Sequence, residues 1–130
     1  MVDNNRSLDE LLVDEEELNE SLMVETLNEF IGIGSESGDL VRMNAFNDLD
    51  AQQKVAVVLL AQKARFALDK VQSEWLGPSE ISDVSGIKKG TVYPAVRELE
   101  NDGLADNEDG KYRIPTHTLK ESKSYILDDD

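Results

Sequence analysis

Lys88, Lys89, Tyr93 and Arg97 bring cations and an aromatic together within residues 88–97. Lysine ammonium groups meet phosphate oxygens, and an arginine guanidinium is long and forked enough to reach a base edge. If this stretch opens a helix, the unbonded amides around Gly90 and Thr91 add a second attraction for phosphate. Lys111 and Arg113 form another pair, alternating with Tyr112 and Ile114 in the period-2 pattern of a strand with apolar side chains inward and both cations outward. Little here suits catalysis. There is no cysteine, His117 is the single histidine, no glycine-rich phosphate loop follows a strand, and the carboxylates crowd one end of the chain. The chain is therefore read as a non-enzyme without cofactor or metal, with His117 as a surface or capping residue, since one imidazole cannot build a site unaided.

The elements needed to position these cations can be read on both sides of them. Pro78 suits a first helical turn, Ile81 and Val84 give a short helix an apolar side, and Gly86 breaks it. Ile87 then plugs the angle to a second helix, for which Thr91 is the expected N-cap; Pro94 would then sit in the first turn, where no donor is needed. Val92, Val96 and Leu99 point that helix inward, leaving Lys88, Lys89, Gly90, Tyr93 and Arg97 outward, and Gly103 closes it. A hairpin turn over residues 107–110 leads into the strand carrying Lys111 and Arg113. The overall expectation is a mainly α chain with a small β-hairpin: two helices, a tight turn and a wing.

At this point the residues resemble the winged helix-turn-helix regulators, and within them the PadR-like group. That group's recognition helix runs tyrosine, proline, any residue and leucine, then a leucine-glutamate pair and a glycine-leucine exit. Tyr93, Pro94, Ala95 and Val96, with valine in place of the usual leucine, then Leu99 and Glu100, then Gly103 and Leu104 follow that order, and Tyr112, Arg113 and Ile114 resemble the returning wing strand. The resemblance covers residues 78–115. It implies regulation of transcription by a homodimer on double-stranded DNA, with Lys88, Lys89, Tyr93, Arg97, Lys111 and Arg113 where DNA is met.

Around this segment, residues 50–127 are read as the winged helix-turn-helix domain: a long helix over 50–76, the helix-turn-helix over 78–103, the wing over 104–115 and a last helix over 116–127 capped by Thr116. In the long helix Val57, Ala61, Ala64, Leu68, Val71 and Trp75 form one apolar stripe, and Val55, Leu59 and Phe66 lie on another face. Two apolar faces need two partners. Either the same domain covers both, or the first stripe packs on a second copy.

Residues 1–49 are read as an acidic N-terminal arm with helix-forming leucines over 7–31 and a small hairpin whose apolar runs are Phe30 to Ile33 and Leu40 to Met43. The net charge of −15 sits at the ends. Residues 1–50 hold 14 acids against Arg6 and Arg42, a sum of −12; residues 51–127 hold 11 of each sign; Asp128, Asp129 and Asp130 form an acidic tail. A halophilic source, such as an archaeon, accounts for acid in general but not for a neutral middle. That balance keeps open an alternative in which the winged helix binds protein, with the arm as a further contact. No uncharged apolar run reaches the ~18 residues of a membrane helix, and no basic-then-apolar leader opens the chain, so a cytoplasmic protein without membrane contact is expected.

Overall fold

Asp50 starts the helix on which the other elements pack. In the computed structural model, which describes residues 6–128, its carboxylate accepts from the Gln53 amide at 2.7 Å, while the Gln53 side-chain oxygen accepts from the Asp50 amide at 3.0 Å. This reciprocal cap satisfies two donors that a helix start leaves open. Helix α2 (Ala51–Ala67) is buried without a break from Val55 to Gln62, so it is enclosed on all sides rather than along one stripe. It ends nine residues before the 76 expected (67 against 76). The periodicity of Val71 and Trp75 is misleading here: Asp69 turns left-handed at φ 59, the Lys70 amide closes on the Arg65 carbonyl at 2.8 Å, and Leu76 is extended.

Two elements from the acidic end belong to the same body. Asp14 caps α1 (Glu15–Leu27), accepting from the Glu17 amide at 3.1 Å, and Glu15, Glu16 and Glu17 complement the positive end of the helix dipole. Strands β1 (Ile31–Ile33) and β2 (Leu40–Arg42) form the expected hairpin, with Gly32 opposite Val41. Met23, Leu27, Phe30, Ile31 and Phe46 are buried in the common core, and α1 lies against α2 and the last helix. Residues 15–49 are thus part of the domain, not an arm attached to it. Of the leucines nearer the N-terminus, Leu8, Leu11 and Leu12 are exposed.

Helix α3 (Pro78–Ser85) begins with Pro78 and ends at Gly86, whose φ of 77 turns the chain within a left-handed conformation that glycine adopts without strain. Helix α4 (Lys89–Asn101) follows, with Val92, Val96 and Leu99 at 0% exposure against the core. Strands β3 (Asp106–Glu108) and β4 (Lys111–Arg113) then pair around Asp109 and Gly110, both at positive φ as a two-residue hairpin turn requires. Tyr112 also exchanges two backbone hydrogen bonds, at 2.9 and 2.8 Å, with Leu76. A single 3₁₀ turn at Thr116–Thr118 leads into α5 (Leu119–Leu127), which packs on α1 and α2. The last helix accordingly starts at Leu119, not Thr116. Its N-cap is Thr118, whose hydroxyl is buried and donates inward to the carbonyl of Leu104. Of the expected acidic tail, Asp129 and Asp130 lie outside the described residues. The protein is mainly helical with small antiparallel sheets. Among the described residues no helix is long and apolar enough to cross a membrane.

Candidate nucleic-acid interface

The inward residues of α4 fix which side faces out. With Val92, Ala95, Val96 and Leu99 buried, the exposed positions include Lys89, Gly90, Thr91, Tyr93 and Arg97, and Lys88 precedes them as the exposed N-cap. The helix begins at Lys89, so Thr91 is its third residue rather than its cap, and no side chain caps the start. Pro94 consequently lies inside the helix. Its nitrogen cannot donate to the carbonyl of Gly90 four residues back, a loss that solvent can repair because Gly90 is exposed.

The side chains of Lys88, Lys89 and Arg97 have no hydrogen bond, ion pair or ring contact among the described residues. Arg97 is close enough to Tyr112 to act on it electrostatically. The Tyr112 hydroxyl is held above its ordinary pKa by burial first and by the Glu100 carboxylate second, with Arg97 pulling the other way. Asn107 links this corner, donating to Glu100 at 3.3 Å and to the Tyr112 hydroxyl at 3.4 Å.

The β3–β4 hairpin, expected as a wing, departs from the sequence reading in one residue. Tyr112 and Ile114 are buried as the alternation requires, and Lys111 is exposed, 4.0 Å from Glu80 on α3. Arg113 does not point freely outward. Its Nη1 donates to Glu74 at 2.7 Å, its Nε lies 3.5 Å from Asp106, and its guanidinium stacks on Trp75 at 4.5 Å. Glu74 also accepts from Lys63 at 3.1 Å. The carboxylate that holds Arg113 lies 39 residues away, in a segment that periodicity assigns to a helix, so no local signal marks it. Glu108 and Asp109 at the tip are exposed acids.

The proposed dimer stripe is likewise divided. Val57 and Ala61 are fully buried within the chain's own core, Val71 and Trp75 are half-buried, and Trp75 is engaged by Arg113. Leu68 is exposed. With Ala64, Ala67 and Val24 it borders an apolar groove of about 290 Å³ between α1 and the end of α2. His117 is exposed and lines an open cleft together with Lys63 and Arg113. Among the described residues no group of three or more His, Asp and Glu side chains is placed to hold a metal ion.

One cation near α4 escapes a reading by local sequence. Arg42, on β2, donates from Nη1 to the Ser85 carbonyl at 2.6 Å. Compared with family models, with curated proteins and with solved structures, the chain matches none.

Proposed function

We propose that this chain is a winged helix-turn-helix regulator of transcription that binds double-stranded DNA in the cytoplasm, placing the N-terminal half of α4 in the major groove. One observation carries the reading. The acids outnumber the cations 28 to 13, and most described Lys and Arg side chains are held by carboxylates, carbonyls or rings. Those without such a partner among the described residues are Lys88, Lys89, Arg97 and Lys120, so three of these four sit on or at the start of α4. In an acidic protein, cations left unneutralised on one helix face attract a polyanion. Tyr93, 45% exposed between them, adds a flat surface for a base or sugar. The wing contributes Lys111, while Arg113 holds the wing to the body of the domain.

The test is a fluorescence-anisotropy titration of labelled duplex against purified protein over a range of salt. Each phosphate neutralised by a cation contributes about −0.9 to the slope of log K against log salt. A negative slope that becomes shallower in the Lys88→Gln, Lys89→Gln double variant supports the reading; absence of binding at low salt refutes it. Refutation would favour the second reading, a winged helix that binds protein. The exposed acids Glu108 and Asp109 and the exposed Leu8, Leu11, Leu12 and Val13 speak for that reading.

A further inference from the structure

Arg42 belongs to the N-terminal hairpin, yet its guanidinium lies on the turn between α3 and α4. The Nη1 hydrogen bond to Ser85, 43 residues away, lands on the last carbonyl of α3, at the negative end of its dipole. Gly86 permits this approach: a Cβ there would stand 2.6 Å from Nη1 and 3.9 Å from Nη2. The residue is exposed, and no carboxylate lies within 4.0 Å of it among the described residues. Its positive charge is therefore opposed only by a carbonyl. A guanidinium carries five N–H donors in a rigid fork, and apart from the bond to Ser85 they have no protein acceptor among the described residues. Lys88 and Lys89 follow Gly86 directly along the chain, after Ile87.

We infer that Arg42 is a DNA-phosphate contact, delivered to the entry of α4 by the β1–β2 hairpin while the same side chain caps α3. The inference rests on the DNA-binding reading above. Arginine suits the double task because its planar fork can hold a carbonyl with one nitrogen and a phosphate oxygen with another. A cap uses the charge only locally, through the α3 dipole, and by itself leaves the salt dependence of DNA binding unchanged. A phosphate contact depends on that charge and carries no sequence preference.

The experiment compares wild type, Arg42→Gln, Arg42→Lys and the Lys88→Gln, Lys89→Gln double variant in salt-titrated binding to a preferred and a random duplex. Arg42→Gln is expected to bind both duplexes several-fold more weakly at low salt, with a slope smaller by about 0.9, while Arg42→Lys keeps the wild-type slope. Because Arg42→Gln also loses part of the α3 cap, a second measurement needs no variant. Phenylglyoxal modification of the wild-type protein, mapped by mass spectrometry, should show Arg42 protected by saturating DNA. Arg65, held by Gly38 and Gln62, serves as the reference that DNA leaves unchanged. An unaltered slope in Arg42→Gln, or unaltered modification of Arg42, overturns the inference; if the Lys88→Gln, Lys89→Gln double variant still flattens the slope, the DNA reading survives that loss. A wild-type protein that binds no DNA at low salt overturns both.

Discussion

Lys111 and Arg113 look equivalent in the sequence, two outward cations on one short strand, but their surroundings give them different work. Removing the Arg113 side chain leaves Glu74, a largely enclosed carboxylate, with Lys63 alone; Arg113→Ala should cost about 1–3 kcal/mol in chemical denaturation. Lys111→Ala should leave stability within about 0.5 kcal/mol of wild type and weaken binding to all DNA sequences alike. Arg97, on the exposed side of α4 proposed to meet DNA, differs from both. Arg97→Ala should cost about 1–3 kcal/mol against a preferred site and less against random duplex, and equal losses on the two would remove it from base readout. Tyr125 supplies a pH test that does not involve DNA. Burial, and then the carboxylates of Asp50, Asp102 and Glu98, push its hydroxyl up to about 12. The unfolded chain then releases this proton at lower pH than the folded one, so stability falls as pH rises from about 10 to about 12. Tyr125→Phe should flatten the fall in thermal melts over that window; an unchanged profile would assign the loss to other groups.

At the scale of elements, α1 is the clearest departure from the sequence reading. Its charge predicts a separate arm, and its burial makes it one side of the core. Deleting residues 1–28 removes Met23 and Leu27, each costing about 2–5 kcal/mol as a single change to alanine, and should unfold the domain or lower its melting point sharply. Deleting residues 1–13 removes exposed leucines and should leave the melting point nearly unchanged. The contrast between the two deletions is read by circular dichroism. The sequence was most informative where local chemistry decides the conformation: Pro78 and Gly86 bound α3, Gly103 closes α4, and Asp109 with Gly110 makes the hairpin turn. It was least informative where a distant residue decides, as when Glu74 holds Arg113 or Arg42 reaches the α3–α4 turn. The end of α2 failed for a third reason. A three- and four-residue apolar rhythm continues past Ala67, yet Leu76 gains two backbone hydrogen bonds with Tyr112 that a helix would deny it.

For the whole molecule, charge opposes folding and binding in different ways. With a net charge of −15, self-repulsion destabilises the compact state, and added salt screens it. Thermal stability should therefore rise with salt over the same range in which DNA affinity falls, and measuring both on one preparation separates the effects. For association of two copies, the groove beside Leu68 offers an apolar surface midway along the expected stripe, where α2 ends. Leu68→Glu should shift a wild-type dimer to monomer in sedimentation without unfolding it, because this side chain is already 57% exposed; a wild-type monomer at micromolar concentration would end the idea. The bond between Leu76 and Tyr112 has a consequence beyond the fold. The segment that leaves α2 is bonded at Leu76 to β4, and Glu74 and Trp75 grip Arg113 immediately beside it. The β3–β4 hairpin is thus fastened to the exit of α2 as well as to its own neighbours on α4. Opening of this junction would free both bonds at once, so the amide hydrogens of Leu76 and Tyr112 should exchange together in native-state hydrogen exchange.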